Sequence, residues 1–323
     1  MRPMQSHLAG LHTLRPADNE EQDGCVSPKV TKPSFRHLVS PKTPCTPTRP
    51  LWLQRCEEAT IRCPFPSCFA LLQGHKSEDR LTVDCKGFDA LWAVFDGHRH
   101  PEMSGYASTN VPKLVWGSSL WPASPGDALR NMLIECHENA RAEELKGGST
   151  AVVVAVTNGR IWCASAGDSR AVAGLRTGEV RRMSVDHTTS VPEEVARIKA
   201  MGGVLDWGRL GGTLPMTRGL GNFSLEADGF ACLPDISVMP CTEVDFVILA
   251  SDGLWDVVDD EAACRFVRSL GPSAIKHPGT GAGCAAELLC QHARRLGSHD
   301  DIAVVVAYFP PERVQALFAG AGA

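Results

Sequence analysis

Short apolar runs rich in valine, isoleucine, phenylalanine and tryptophan recur along the chain from about residue 57 onward. They lie at residues 90–95, 151–156, 161–165, 246–250 and 302–309. Runs of this length and composition are typical of buried β-strands. Turn signals such as Gly147-Gly148 and Asn158-Gly159 separate them. The pattern therefore predicts a sheet-rich folded region.

Three segments show helical spacing of their apolar residues instead, at residues 193–200, 260–269 and 284–296. In the last segment, Ala285, Leu288, Leu289 and Leu296 fall near one face of a helix. Strands that cluster along the chain, with helices between some of them, favour an α+β layered domain.

Residues 1–55 differ from the rest, because proline and basic residues recur there without apolar periodicity. Such a segment buries too little apolar surface to offset its ordering entropy, so we expect a disordered tail. The folded domain is expected to cover residues 56–310, with a short C-terminal tail at 311–323. In the first tail Ser27, Ser40, Thr43 and Thr46 each precede a proline, which leaves proline-directed phosphorylation open.

The composition is that of an ordinary globular protein, with 43% hydrophobic and 21% charged residues. A net charge of -5 gives no electrostatic reason to bind nucleic acid or an anionic membrane. No apolar run is long enough to span a bilayer, and no secretory leader is evident. We therefore expect a monomeric protein of the cytoplasm, the nucleus or both.

Thirteen cysteines, an odd number, lie largely inside apolar runs, which favours reduced buried thiols. A zinc site formed by Cys56, Cys63, Cys68 and Cys85 is the alternative. Their spacings of seven, five and seventeen residues contain no closely spaced CxxC pair, so the pattern argues against zinc.

Carboxylates stand where predicted strands end: Glu78, Asp79, Asp96, Asp168, Asp252 and Asp300. Taken singly, such a residue is more often a turn residue or a helix cap. Glycine adjoins the acid at Asp96-Gly97, Gly167-Asp168 and Asp252-Gly253, and lets the backbone approach a bound ion. Clustered oxygen ligands suit Mg²⁺ or Mn²⁺.

The string LWAVFDGH at residues 91–98 resembles the metal-dependent phosphatases of the protein phosphatase 2C type. Further similar blocks follow in that family's order: GGSTAVVVAV at 147–156, CASAGDSRAV at 163–172, the Asp-His to Gly-Gly segment at 186–203, RLGGTLPMTRGLGN at 209–222, ILASDGLWDVV at 248–258 and SHDDIAVVVAYF at 298–309. Seven ordered blocks over roughly residues 65–310 make the resemblance specific.

The resemblance implies a four-layer α-β-β-α sandwich, with two antiparallel sheets flanked by helices and two metal ions between the sheet ends. It implies a serine/threonine protein phosphatase that hydrolyses phosphoserine or phosphothreonine in protein substrates by a metal-activated water. The ions would be Mg²⁺ or Mn²⁺, with a weaker third ion also possible.

The resemblance also implies individual roles. Asp96 would bridge the two metals and Gly97 would add its carbonyl oxygen. The remaining ligands would be Asp252 and Asp300 on one metal, Glu78 and Asp79 on the other, largely through waters, and Asp168 on the third. His98 would be the general acid for the leaving oxygen.

Several positions depart from the family pattern. Arg99 and His100 replace two glycines, and Asn222 and Asp301 stand where an aspartate and an asparagine are usual. The segment GHKSEDR at 74–80 lacks the usual phosphate-binding arginine, so Lys76 is the nearest candidate for the substrate phosphate. Residues 222–234 would form a flap near the substrate groove. These departures leave a second hypothesis open, a catalytically weak or inactive phosphatase-like binding or scaffold domain.

Overall fold

The computed structural model describes residues 56–59, 62–74, 76–271 and 283–318. The predicted disordered tail at 1–55, with its four Ser-Pro and Thr-Pro sites, lies outside the described residues.

The described strands are β1 Ser67–Leu72, β2 Arg80–Lys86, β3 Asp89–Phe95, β4 Gly97–His98, β5 Gly148–Ser149, β6 Ala151–Thr157, β7 Arg160–Ala166, β8 Arg170–Leu175, β9 Val180–Arg182, β10 Leu205–Asp206, β11 Arg209–Leu210, β12 Leu220–Gly221, β13 Asp235–Pro240, β14 Val244–Ala250 and β15 Ile302–Tyr308. The described helices are α1 Glu102–Gly117, α2 Pro125–Ala142, α3 Pro192–Ala200, α4 Asp252–Trp255, α5 Asp260–Leu270, α6 Ala285–Arg295 and α7 Pro311–Phe318.

Within the described residues, two five-stranded antiparallel sheets have the orders β1-β15-β14-β8-β9 and β13-β7-β6-β3-β2. The alternation of side chains along a strand explains why they stack. In β6, Val152, Val154 and Val156 enter the core between the sheets, and the residues between them enter a second core with α1 and α2. Strand β15 likewise faces the central core on one side and a core with α4, α5 and α6 on the other.

Helices therefore cover the outer face of each sheet, and the predicted four-layer α-β-β-α sandwich is confirmed. The predicted strands and helices are present with ends shifted by at most two residues. Helices α1 and α2 were not predicted. In α1 the buried Met103, Ala107, Val111 and Val115 recur every four residues, but the polar and small residues between them and Pro112 obscure the pattern.

The fold continues past the predicted boundary at residue 310. Helix α7 buries Val314 in the central core, and the ring of Phe318 stacks on Phe65 with centroids 6.3 Å apart. A small separate core joins α3 to the β10-β11 hairpin and the following loops through Ile198, Leu210, Leu214, Met216, Leu225 and Phe230. We call residues 192–230 the flap module, because they overlap the segment 222–234, for which the family resemblance implies a flap; that role stays a prediction.

The four cysteines considered for zinc do not form one cluster. Cys56 lies in the central core, whereas Cys68 lies in the core beneath α6, and all the described cysteines are free thiols. Within the described residues, no helix has the length and apolar character needed to cross a bilayer.

Candidate metal centre

The acidic residues predicted from the sequence converge because the strands that carry them end at one edge of the sandwich. Arg80 pairs with Phe95 at the end of β2 and β3, so Asp79 and Asp96 come directly beyond that pair. Ala250 pairs with Arg170 at the end of β14 and β8, which places Asp252 and Asp168 just past it. Asp300 precedes β15, and Glu78 precedes Asp79 in the loop that leads into β2.

The electrostatics show how close these carboxyl groups lie. Burial raises the pKa of Asp96 well above its ordinary range, and the charges of Asp79, Asp252 and Asp168 raise it further. Asp96 and Asp252 also share a side-chain hydrogen bond. Burial raises the pKa of Asp79 to about 8 and that of Asp168 to about 7. A cation bound beside these carboxyl groups would lower their pKa and favour the charged form.

The donor set fits a divalent metal ion. In the described ranges no three Asp, Glu, His or Cys side chains form a ready-made metal site. Asp168 Oδ1, however, is buried and has no hydrogen-bond partner among the described residues. A buried carboxylate oxygen without a donor is costly unless an ion or water satisfies it. The donors are carboxylate oxygens, which are ligands that Mg²⁺ and Mn²⁺ prefer.

Two hydroxyl groups that the sequence analysis missed hold the acidic residues, one at a carboxylate and one at the backbone. Ser251 Oγ donates a 2.8 Å hydrogen bond to Asp79 Oδ2 and accepts one of 3.0 Å from the backbone N–H of Ala303. Thr150 Oγ1 accepts a 3.0 Å hydrogen bond from the backbone N–H of Asp96. Both residues lie inside the sequence blocks that resemble the family, and this position was the only sequence feature that could have indicated their role.

Asp301, one of the departures from the family pattern, organises the loop at 74–79. Its side chain is buried and accepts hydrogen bonds from the backbone N–H groups of Gly74 and Glu78, the latter at 2.8 Å. The two bonds end on different oxygens, which a carboxylate provides and an amide does not. The loop that carries Glu78 and Asp79 is therefore held by a charge-assisted pair of bonds.

His98 lies at the end of β4, and Nε2 of its ring is 2.7 Å from the side-chain nitrogen of Asn222. Its Nδ1 is buried and has no hydrogen-bond partner among the described residues. Burial lowers the pKa of His98 to about 4, although the contact with Asn222 acts in the opposite direction. A neutral ring that receives the Asn222 N–H at Nε2 carries its own proton at Nδ1.

Among the described residues, three cations near the site have partners within the chain. Lys76 Nζ lies 3.0 Å and 3.1 Å from the two carboxylate oxygens of Asp300. Arg80 donates to the backbone carbonyls of Ser77 and Asp79, and Arg99 donates to the hydroxyl of Thr213 in the flap module. The structure thus places Lys76 beside a predicted metal ligand.

Glycine is required where two backbones touch at this edge. A Cβ at Gly253 would lie 2.0 Å from the carbonyl oxygen of Asp301, and one at Gly97 would lie 2.5 Å from that of Glu78. Neither distance leaves room for a methyl group. The contacts bring the segment of Asp252 against that of Asp300, and the segment of Asp96 against Glu78.

The profile of the family Protein phosphatase 2C matches residues 67–302. This match includes well over half of the chain and every predicted site residue, so the chain belongs to the protein phosphatase 2C family.

The chain is 34% identical over 252 residues to "Probable protein phosphatase 2C 44" of Oryza sativa subsp. japonica, covering 73% of this chain and 74% of that protein. It is 43% identical over 179 residues to "Probable protein phosphatase 2C 8" of the same organism, with 52% and 44% covered. "Probable protein phosphatase 2C T23F11.1" of Caenorhabditis elegans is 35% identical over 193 residues, with 55% and 54% covered. The chain thus spans only about half the length of several of these relatives.

Two solved structures are similar to this fold. A Caenorhabditis elegans sex determining protein has a TM-score of 0.67 at 27% identity, with 79% of this chain and 67% of that chain covered. Serine-threonine phosphatase 2C from Toxoplasma gondii has a TM-score of 0.63 at 22% identity, with 76% and 95% covered, and this likeness concerns the fold alone.

Proposed function

We propose that this chain is a metal-dependent serine/threonine protein phosphatase that hydrolyses phosphoserine or phosphothreonine in protein substrates. The observation that carries the proposal is the convergence of Asp79, Asp96, Asp168 and Asp252 at one edge of the sandwich, where burial and then the charges of the other three raise the pKa of Asp96. The family of the chain supports the same reaction class. A monomeric state and a location in the cytoplasm, the nucleus or both stay predictions from the sequence.

Asp96 would hold both of two Mg²⁺ or Mn²⁺ ions, and Gly97 would add its carbonyl. Asp252 and Asp300 would serve one ion, and Glu78 and Asp79 the other, largely through waters. Asp168 would hold a weaker third ion. Divalent ions bound there lower the pKa of water and offset charge on phosphoryl oxygens. The chain itself positions these residues, through Ser251 at the Asp79 carboxylate, Thr150 at the backbone N–H of Asp96 and Asp301 at the backbone N–H of Glu78.

His98 is the proposed proton donor to the departing serine or threonine oxygen. Because Asn222 occupies Nε2, the proton would leave from Nδ1, and the donor would be the imidazolium form, which the lowered pKa of about 4 disfavours until the negative charge of a bound phosphate favours it. A protein alkoxide leaves poorly without a proton, which makes such a donor useful. Asn222 would thus select the tautomer by holding the other nitrogen.

A phosphatase-like binding or scaffold domain with weak or no activity is the second candidate. The observation that favours it is the pairing of Lys76, the nearest cation of the first motif, with Asp300. A flexible ammonium group also lacks the planar fork with which arginine binds phosphate.

The test is Mn²⁺-dependent hydrolysis of p-nitrophenyl phosphate and of a phosphothreonine peptide by wild type, Asp96→Asn and the exposed control Asp206→Asn. The enzyme proposal expects a metal-stimulated rate that Asp96→Asn loses and Asp206→Asn keeps. A wild-type rate no higher than that of Asp96→Asn overturns it. Calorimetry with Mn²⁺ then separates a metal-binding scaffold from a domain without a metal site.

A further inference from the structure

We infer that Lys76 occupies Asp300 in the metal-free protein, must be displaced when a divalent ion binds, and is thereby released towards the substrate phosphate. The inference rests on the proposed function and adds to it an order of events at the same site. Lys76 would be a competitor of the metal and then a binding group for the substrate, two roles that one side chain takes in succession.

The geometry of the pair carries the first step. The ammonium group of Lys76 contacts both carboxylate oxygens of Asp300, at 3.0 Å and 3.1 Å. Oδ1 of Asp300 also accepts a 2.8 Å hydrogen bond from the backbone N–H of Asp301. Both oxygens that would bind a metal are therefore engaged by donors from the chain. A cation on this carboxylate and an ion bound by it exclude each other on electrostatic grounds.

Several carboxylates of the acidic cluster act on the charge of Lys76. Beyond its hydrogen bond to Asp300, the ammonium group is attracted by Asp96 and Asp252, two further candidate metal ligands. It also lies close enough to Glu78 to act on the charge of that carboxyl group. In the absence of metal, one lysine thus compensates part of the negative charge that two divalent ions would otherwise balance.

The ion pair between Lys76 and Asp300 is exposed and should dissociate easily. The side chain of Lys76 is 61% exposed and that of Asp300 is 41% exposed, so water competes for both. Exposed ion pairs are weak, and a lysine stem is flexible. The next residue, Ser77, has a left-handed backbone with φ 55°, which turns the loop sharply beside Lys76. An ion with two charges can displace such a lysine, whose ammonium group then remains at the rim of the site.

Calorimetric titration with Mn²⁺ at low ionic strength tests the competition. The proteins are wild type, Lys76→Met, Lys76→Arg and Lys113→Met, which removes an exposed lysine that contacts Asn110 on α1. We expect Lys76→Met to bind Mn²⁺ about two- to fivefold more tightly than wild type, the range that an exposed ion pair supports. Lys113→Met should match wild type, and Lys76→Arg should restore the weaker binding. Added salt should reduce the difference, because it screens exposed charges.

The KM for a phosphopeptide tests the second step, in which the released Lys76 binds the substrate phosphate. Lys76→Met should raise KM for a phosphothreonine peptide, and Lys76→Arg should return it towards wild type. If wild type binds Mn²⁺ and turns over while Lys76→Met binds Mn²⁺ no more tightly than Lys113→Met, the inference is overturned and the proposed function stands. If neither wild type nor Lys76→Met binds Mn²⁺, both are overturned. Tighter Mn²⁺ binding with unchanged KM overturns the role in substrate binding.

Discussion

The buried carboxylate of Asp301 accepts a 2.8 Å hydrogen bond from the backbone N–H of Glu78, 223 residues earlier in the chain. Its other oxygen accepts from the backbone N–H of Gly74. One side chain at the start of β15 thus shapes the loop that supplies two candidate metal ligands. The carboxylate at position 301 therefore stabilises the loop, because its two oxygens accept hydrogen bonds from both ends of it.

Asp301→Ala should lower the free energy of unfolding by about 2–4 kcal/mol, because two partly buried backbone donors lose their acceptor. Amide hydrogen exchange should show the local origin of the loss, with faster exchange at Gly74 and Glu78 than elsewhere in the sheets. The exposed Glu135→Ala serves as control and should change neither quantity. Unchanged protection at these two amides would contradict the assignment of Asp301 as their acceptor.

Gly253→Ala should lower the melting temperature, because its Cβ would stand 2.0 Å from the carbonyl oxygen of Asp301. Overpacking of this kind costs about 1–3 kcal/mol. Gly105→Ala is the matched control: its Cβ meets nothing within 4 Å, and alanine is favoured in a helix by up to about 1 kcal/mol. Calorimetric melting of both variants gives the comparison, and equal shifts in the two proteins would rule out the close backbone contact.

Glu194 should make the stability of the fold depend on pH. The side chain is 3% exposed; burial would raise its pKa, but hydrogen bonds from Arg218, Arg197 and Thr217 prevail and lower it to about 2. A carboxylate with a lowered pKa stabilises the fold fully above its unfolded pKa of about 4.5 and loses that contribution as the pH falls towards 2.

Glu194→Gln should therefore reduce the free energy of unfolding by about 2–3 kcal/mol at pH 6, and this deficit relative to wild type should shrink as the pH falls from 4.5 towards 2. Urea unfolding at several pH values measures it. Glu193→Gln, the exposed neighbour in α3, should follow the wild-type curve. A deficit that stays constant down to pH 3 would show that the Glu194 network does not carry the linkage.

His98→Asn should reduce kcat by about 100-fold if the ring donates the proton to the leaving oxygen. The affinity for Mn²⁺, measured by calorimetry, should stay at the wild-type value, because His98 is not among the proposed ligands. His100→Asn is the comparison, since the ring of His100 lies 3.5 Å from Glu102 and has no proposed role in proton transfer. Equal losses of kcat in the two variants would indicate a structural rather than a chemical effect.

The strands and the fold were predictable, because the strands depend on local apolar patterns and the fold on the order of the sequence blocks. The continuous apolar run at 151–156 predicted a strand buried on both faces, and the seven blocks predicted the sandwich and the order of its acidic residues. Helix α1 was missed because serine, glycine and proline interrupt its apolar stripe, so that packing against the sheet, rather than local preference, determines it.

Contacts between segments far apart in the chain could not be predicted from local patterns. Nothing near Lys76 in the chain indicates that it meets Asp300, and nothing near Asp301 indicates that it holds Gly74 and Glu78. These pairings arise because β1 aligns with β15, with Leu72 opposite Ile302, which brings the loop after one strand beside the loop before the other. A single sequence gives the residue types at both places but not their distance.

The bond between Arg99 and Thr213 connects the segment that carries the proposed proton donor to the flap module. Arg99 directly follows His98 and has a left-handed backbone with φ 68°, so its side chain leaves the short strand β4 and reaches the flap module. If residues 211–214 shift when a peptide binds, the position of Arg99, next to the proposed proton donor, should therefore change as well. We expect the identity of the bound protein to influence the alignment of His98, so that turnover and recognition change together when this bond is removed.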